Sequence, residues 1–185
     1  MLNSIIDEAK EKMEKSLEHY RNELRSVRTG RASVAMFENI KVDYYGTPTP
    51  LNQVGTLSAP EPRMITIQPW ERNLIPAIEK AILTSNMGFN PSNDGSIIRI
   101  PIPQLTEERR RDIVKVIKKM SEDAKVIIRN IRRDANESFK KSEKDKEISE
   151  DDAKKGVTKI QELTDEYVKK VDELTSKKEK EVMEI

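Results

Sequence analysis

Residues 107–136 read EERRRDIVKVIKKMSEDAKVIIRNIRRDAN, and this stretch decides the fold because its apolar side chains recur every three or four positions. The recurring residues are Ile113, Ile117, Met120, Ala124, Ile127 and Ile131. That spacing places them along one face of a helix. Pro103 precedes the segment, and Glu107 and Glu108 fall in its first turn, so the pattern predicts a helix from Thr106 to about Lys141.

Two further segments carry the same helical spacing. The recurring residues are Ile6, Ala9, Met13, Leu17, Tyr20, Leu24 and Val27 in the first, and Ala153, Val157, Ile160, Leu163, Tyr167, Val171 and Leu174 in the second. Each begins with a pair at capping-box spacing, Ser4 with Asp7 and Ser149 with Asp152. Because each helix buries only a narrow seam, none is stable alone, and we expect a long antiparallel three-helix bundle. Gly156, inside the third helix, is compatible with a close approach of two helices.

Residues 30–105 differ in composition from both flanks. They hold 6 basic and 6 acidic side chains among 76 residues, whereas the other 109 residues hold 28 and 27. All nine prolines and five of the six glycines also fall in this segment. We therefore expect an α+β protein in which residues 1–29 and 106–185 form the bundle and residues 30–105 form a small inserted α/β, β-rich domain. Its predicted strands and helix lie at 40–45, 54–58, 63–68, 96–102 and 73–85.

The inserted domain implies two neighbouring chain crossings. The chain would enter this domain at Gly30 and leave it at Gln104 and Leu105. Two adjacent crossings permit bending without disrupting either core. We therefore predict an L-shaped molecule whose hinge consists of these three residues.

The composition excludes several classes of function. The chain has no cysteine, no apolar run of bilayer length and no signal-peptide core, so we expect a soluble, cytoplasmic protein. It has no nucleotide-binding glycine motif, zinc-ligand spacing or EF-hand, so we expect no cofactor and no metal. The single histidine, His19, is interpreted as a rim residue rather than a general base, and an enzyme is not expected. Trp70 is expected to pack between the inserted helix and its sheet, with an interdomain contact as the alternative.

The second long helix is the net-positive one. Residues 106–142 hold 12 basic and 7 acidic side chains, whereas residues 143–185 hold 10 and 14. Steps of three and four define a basic stripe on it that consists of Arg111, Lys115, Lys118, Lys125, Arg129, Arg132 and Lys140, interrupted by Glu122, with Arg110 and Arg133 beside it. Arg129, Arg132 and Arg133, at positions i, i+3 and i+4, share one face of this helix. Such a row suits phosphate oxygens, because guanidinium groups bind them in a bidentate manner. The residues alone leave two interpretations open, a solvated face partly paired with the acidic third helix or a contact with a phosphate backbone.

Six short motifs follow one another along the chain. They are VRTGRAS at 27–33, YYGTP at 44–48, PW at 69–70, GFNP at 88–91, PQLT at 103–106 and RNIRRDAN at 129–136. Together with the order of one helix, an inserted domain and two helices, they make the whole chain resemble the bacterial ribosome recycling factor family.

The resemblance implies a function in translation. A member of this family would bind the post-termination 70S ribosome with its bundle against large-subunit rRNA and, with elongation factor G and GTP, promote subunit dissociation and release of mRNA and tRNA. GTP hydrolysis would belong to elongation factor G, which the inserted domain would face. We expect a monomer and no membrane partner. The RNA-contacting set implied by matching motifs is Arg28, Arg31, Arg110, Arg129, Arg132 and Arg133, with Gly30 beside Arg31.

The sequence also leaves two other classes of function open. A helical scaffold or chaperone-like module would bind proteins through its charged bundle, and ribosome binding that falls steeply with salt would separate it from an RNA-binding factor. A hydrolase using carboxylates of the inserted domain would need a pocket and an acid of raised pKa. Turnover without any partner protein would favour that second class.

Overall fold

A computed structural model describes residues 1–85 and 88–184, and the chain divides into two compact units. Unit 1 consists of Met1–Thr29 and Glu107–Ile185, and unit 2 consists of Gly30–Thr106. Long helices and small antiparallel sheets occur together, which confirms the α+β class. The described α-helices are α1 (Leu2–Arg25), α2 (Ile75–Thr84), α3 (Glu107–Lys144) and α4 (Glu150–Met183).

Unit 1 is a bundle of α1, α3 and α4, and the three predicted long helices are confirmed. Side-chain hydrogen bonds join α1 to α4, from Tyr167 to Glu14 and between Tyr20 and Thr175. The α1 residue that comes later in the sequence, Tyr20, pairs with the α4 residue that comes later, Thr175, so α1 and α4 run in the same direction. Helix α3 runs opposite to both, because a short turn with Lys146 at φ +58° joins it to α4.

The buried seam of α3 agrees only in part with the predicted one: Ile113, Ile117 and Ala124 are buried, Met120 and Ile131 are half-buried, and Ile127 is exposed. Its buried members are Arg110, Ile113, Ile117, Ser121, Ala124, Ile128, Ala135, Phe139 and Ser142. Ile128 is fully buried, whereas its neighbour Ile127 is 46% exposed, so the prediction of Ile127 as a seam residue was wrong. Adjacent residues lie about 100° apart around a helix, so only one of the two can face the seam. Ser121 occupies a seam position, and a pattern based on apolar residues does not include it because serine is polar.

The helix ends agree with one predicted cap and not with the other. Ser149 precedes α4, and its hydroxyl accepts a hydrogen bond from the Asp152 backbone N–H at 3.1 Å, which confirms the predicted cap. Helix α1 instead begins at Leu2, so Ser4 lies inside it and the predicted start was wrong. A cap at Ser4 would bind the backbone N–H of Ile6 or Asp7, and in a helix that begins at Leu2 these N–H groups already bond to carbonyls four residues earlier.

Gly156 lies at a close contact between α4 and its neighbours. The glycine is buried, and a Cβ atom there would lie 2.8 Å from two ring carbons of Phe139 on α3 and 2.9 Å from a methyl group of Leu2 on α1. Ordinary carbon–carbon contacts are about 3.5–4.0 Å. The absence of a side chain is therefore what allows the helices to approach here. The adjacent Val157, predicted in the seam, is 41% exposed instead.

Unit 2 contains two antiparallel sheets and α2. The strands are β1 (Lys41–Tyr44), β2 (Thr47–Pro50), β3 (Gly55–Glu61), β4 (Met64–Pro69), β5 (Ser92–Asn93) and β6 (Ile98–Pro101). Strands β1 and β2 form a hairpin, and the second sheet has the order β3-β4-β6-β5. The four predicted strand regions correspond to β1, β3, β4 and β6, whereas β2 and β5 were missed.

The core of unit 2 lies between its sheets and α2. Fully buried side chains come from β1, β4, α2 and β6, namely Val42, Ile65, Ile67, Ile78, Ile82, Ile98 and Ile100. Phe37 and Phe89 add an aromatic pair with ring centroids 5.1 Å apart. This core draws on residues of unit 2 alone, so the inserted segment has a hydrophobic centre of its own.

Candidate nucleic-acid interface

Three arginines of α3 form the candidate interface, and they differ in how the bundle holds them. Arg129 and Arg133 are exposed, and within residues 1–85 and 88–184 neither has a side-chain hydrogen bond or an ion pair. Arg132 is half-buried, and its guanidinium Nη1 donates to Oε1 of Gln161 on α4 at 3.2 Å. We call these three residues the arginine row. The row therefore presents two unpaired guanidinium groups beside one whose direction is fixed.

Gln161 is itself held by a second residue of α4. Its Nε2 donates to Oδ1 of Asp165, one helical turn later, at 2.9 Å. A carboxylate only accepts hydrogen bonds, so the amide must turn its NH₂ group toward Asp165. The amide oxygen consequently faces α3, where it accepts from Arg132.

Other members of the predicted basic stripe are engaged inside the bundle. Lys125 is only 14% exposed, and its ammonium lies 2.5 Å from a carboxylate oxygen of Asp172 on α4 and 3.4 Å from one of Glu122. The hydrogen bond that Lys125 donates to Asp172 raises the pKa of Lys125 despite the opposing effect of burial. Arg111 forms an exposed pair with Glu107 at 2.5 Å. Five cations of the stripe have no ion pair or side-chain hydrogen bond within the described residues. They are Lys115, Lys118, Arg129, Arg133 and Lys140.

Arg110 occupies a different environment from the one implied by the resemblance. Its side chain is 6% exposed in the seam of the bundle, and Nη1 donates weakly to the backbone carbonyl of Met183 at 3.4 Å. Its Nε is buried without a hydrogen-bond partner. This burial leaves little of the guanidinium accessible to a phosphate.

The remaining predicted site residues lie close in sequence to the points where the chain enters and leaves unit 2. Arg28 is exposed beyond the end of α1, and Arg31 is exposed at the start of unit 2. Gly30 has φ +80°, a conformation that favours glycine, and a Cβ atom there would lie 3.2 Å from the side chain of Leu105. Gln104 accepts a hydrogen bond from Arg63 at 3.1 Å. The two predicted crossings are thus neighbours within unit 2.

The expected packing role of Trp70 was wrong. Its indole is 66% exposed, and Nε1 donates a long hydrogen bond of 3.4 Å to the Thr56 hydroxyl. Tyr45 is 71% exposed, and its hydroxyl donates to Glu71 at 3.1 Å. Unit 2 therefore displays two large aromatic side chains on its surface.

The titratable groups do not form a catalytic arrangement in the described part of the chain. His19 is 72% exposed and contacts Glu23 at 2.6 Å on the surface of α1. Hydrogen bonds from the backbone of Ile97 and Ser96 and from Arg99 hold the pKa of Asp94 far below its usual range, the opposite of what a general acid needs. No group of three or more potential metal-ligating side chains occurs among the described residues. In the same residues, no helix combines the length and the apolar character that a bilayer crossing requires.

Comparison with known proteins decides the family. The sequence profile described as "Ribosome recycling factor" matches residues 20–183. The chain belongs to the ribosome recycling factor family. The ribosome-recycling factors of Geobacter sulfurreducens and Geobacter metallireducens are each 60% identical to it over 126 residues, which is 68% of this chain and 68% of theirs. That of Geobacillus kaustophilus is 53% identical over the same share.

Solved structures of ribosome recycling factors agree with the fold. A solution structure of a ribosome recycling factor is 45% identical, covers 100% of this chain and 98% of its own, and has a TM-score of 0.75. A T. thermophilus ribosome recycling factor, placed with E. coli elongation factor G on the E. coli post-termination complex, is 45% identical over the full length of both chains with a TM-score of 0.62. Ribosome recycling factors are translation factors that act on the ribosome and are not enzymes, so this chain is not an enzyme.

Proposed function

We propose that the arginine row docks this ribosome recycling factor on rRNA of the large ribosomal subunit, with Arg28 and Arg31 as further contacts. The observation that carries the proposal is that Arg129 and Arg133 are exposed and have no internal partner in the residues described. Exposed cations without an acidic partner can bind phosphates, and release the counterions condensed on the RNA, without first breaking an ion pair. Arg110 stands outside the proposed contact surface because its side chain is buried.

The geometry of α3 suits recognition of an RNA backbone. The residues from Arg129 to Arg133 span about 6 Å along the helix axis, and the helix continues for several turns on both sides. The row is therefore a rigid set of charge-assisted donors rather than a flexible tail. Such a surface reads the shape and backbone of structured RNA and makes few contacts with base edges.

The partner follows from the structural relative. The T. thermophilus factor was placed with elongation factor G on a post-termination complex, and we propose that this chain acts on the same assembly in the cytoplasm. Elongation factor G would bind and hydrolyse GTP, and subunit dissociation would release mRNA and tRNA. Bending at Gly30, Gln104 and Leu105 would let unit 2 move while the bundle stays docked. The adjacency of Gly30 and Leu105 supports this hinge.

Binding to purified large subunits tests the contact surface. Arg132→Ala removes one charge-assisted contact worth about 1.5–3 kcal/mol, which corresponds to a loss of affinity of roughly tenfold or more. Log affinity falls as log salt concentration rises, and each lost phosphate contact should make this dependence less steep by about 1. Lys155→Ala is the matched control, since it removes an exposed positive charge from α4 away from the row. An unchanged affinity for folded Arg132→Ala at low salt would refute the contact.

Splitting of post-termination ribosomes tests the function. Light scattering should report dissociation only when this factor, elongation factor G and GTP are all present. A helical scaffold that binds proteins would associate with ribosomes without the steep salt dependence and would not accelerate splitting. Absence of any acceleration under these conditions would overturn the proposed function.

A further inference from the structure

We propose that Gln161 keeps Arg132 available for RNA by separating it from Asp165, and that Gln161 is therefore a positioning residue of the interface. This inference rests on the proposed function, because it assigns a role to Gln161 through Arg132. The side chains concerned form a chain of two hydrogen bonds, from Arg132 to the Gln161 oxygen at 3.2 Å and from the Gln161 nitrogen to Asp165 at 2.9 Å.

The register of the two helices makes Asp165 a natural ion-pair partner for Arg132. Lys125 precedes Arg132 by seven residues on α3, and Asp165 precedes Asp172 by seven residues on α4. A seven-residue step returns to nearly the same face of a helix after two turns. Since α3 and α4 run in opposite directions, Arg132 stands to Asp165 as Lys125 stands to Asp172.

Lys125 and Arg132 nevertheless have different hydrogen-bond acceptors. Lys125 pairs directly with the Asp172 carboxylate at 2.5 Å and is withdrawn to 14% exposure. At the equivalent level, the amide of Gln161 lies between Arg132 and Asp165 and occupies an oxygen of that carboxylate. The arginine consequently receives a neutral acceptor in place of an anionic one.

A neutral acceptor orients the guanidinium without cancelling its charge. The amide oxygen binds one N–H of Arg132, and a guanidinium carries five such donors, so the others stay available for phosphate oxygens. A carboxylate would bind more strongly and in a bidentate manner, because charge-assisted pairs are about twice as strong as neutral ones. Arg132 paired with Asp165 would have to break that ion pair before it could contact RNA.

Removing the Gln161 side chain should therefore weaken RNA binding through Arg132. We expect Gln161→Ala to lower affinity for purified large subunits about three- to tenfold and to lower the salt slope, as Arg132→Ala does. In an Arg132→Ala chain, Gln161→Ala should have no further effect on affinity. Gln161 is exposed, so the variant should keep the circular dichroism spectrum of the native helices.

Rescue by a second substitution distinguishes positioning from a general loss of structure. Asp165→Asn in the Gln161→Ala chain removes the competing carboxylate and should restore affinity to within about twofold of the native chain. Glu173→Gln is the matched control, because Glu173 is an exposed carboxylate of α4 without contact to Gln161 or Arg132 in the described residues. It removes the same charge and should not restore affinity.

The possible results separate this inference from the proposed function. If Arg132→Ala keeps its affinity, the proposed contact surface itself fails. If Arg132→Ala loses affinity but Gln161→Ala does not, only the role of Gln161 is overturned. Restoration by both Asp165→Asn and Glu173→Gln, or by neither, would also overturn that role, since the effect would then be a general one of charge or structure.

Discussion

Replacing Gly156 by alanine tests how closely α4 packs against α3 and α1. In an ordinary helix interior this substitution stabilises a protein by about 1 kcal/mol, because glycine loses more conformational entropy on folding. We expect the opposite sign here. A Cβ atom at position 156 would lie 2.8 Å from two ring carbons of Phe139 and 2.9 Å from a methyl group of Leu2.

The size of the effect follows from the freedom of these neighbours. Phe139 is fully buried, so its ring has no solvent space into which it can turn. Overpacking of this kind costs about 1–3 kcal/mol, and strain at three close contacts belongs in the upper part of that range. After subtraction of the helix-propensity gain of about 1 kcal/mol, we expect Gly156→Ala to lower the free energy of unfolding by about 1 to 2 kcal/mol.

Urea unfolding followed by circular dichroism at 222 nm suits this measurement, since the long helices of unit 1 dominate that signal. The denaturation midpoint should fall without a change in slope. Phe139→Leu creates space beside Gly156, so the double variant should be more stable than the sum of the two single effects predicts, by about 1 kcal/mol. An alanine variant as stable as the native chain, or more stable, would refute the close packing described above.

Three further substitutions probe the bundle. Burial and the hydrogen bond to Glu14 raise the pKa of Tyr167 to about 12, so the native chain should lose up to about 3 kcal/mol of stability as the pH rises from 10 to 12 and its unfolded state ionises. In urea titrations across this range, Tyr167→Phe should lose less stability than the native chain, with burial of Tyr20 accounting for part of what remains, and an equal loss in both chains would contradict the assignment. Ser149→Ala should cost about 1 kcal/mol in thermal or urea unfolding because it removes the cap of α4, and an unchanged midpoint would argue against that cap. Arg110→Ala should cost more stability than Arg129→Ala in the same assay, since only Arg110 packs a buried stem, whereas equal costs would contradict its burial.

The helical part of the fold could be predicted because its signal is local and repeated. Apolar residues at steps of three and four located all three long helices, and Ser149 located the start of α4 within one residue. The choice between Ile127 and Ile128 could not be made in this way, since both are apolar and adjacent. It depends on Ser121, a polar residue that the packing of α1 and α4 places in the seam.

The site was less predictable, because it depends on contacts between distant parts of the chain. Arg110 precedes Ile113 by three residues and Ile117 by seven, so its place on the buried line could have been read from the spacing. No spacing in the sequence predicts the hydrogen bond between Arg132 and Gln161, since that contact depends on the register of two separate helices. Trp70 was misassigned because whether an indole is covered depends on tertiary neighbours rather than on its flanking residues.

The strands that were missed share a physical reason. Strand β2 contains Pro48 and Pro50, which ordinarily argue against a strand. In the described residues it pairs with β1 alone, so both strands are edges, and a proline on an open side sacrifices no ladder hydrogen bond. The turn between them has positive φ at Tyr45 and Gly46, as two-residue hairpins prefer.

The interruption of unit 1 by residues 30–106 has a consequence for the order in which the chain folds during synthesis. Helix α1 is completed first, but both helices that cover its apolar side are made only after the whole of unit 2. Unit 2 is continuous and has its own core, so it can fold while α1 is still without a partner. The growing chain thus carries the α1 segment without the partners that stabilise it as a helix for the time needed to add these 77 residues. Nascent α1, with Met13, Leu17 and Tyr20 uncovered, is the segment on which chaperones or aggregation would act first.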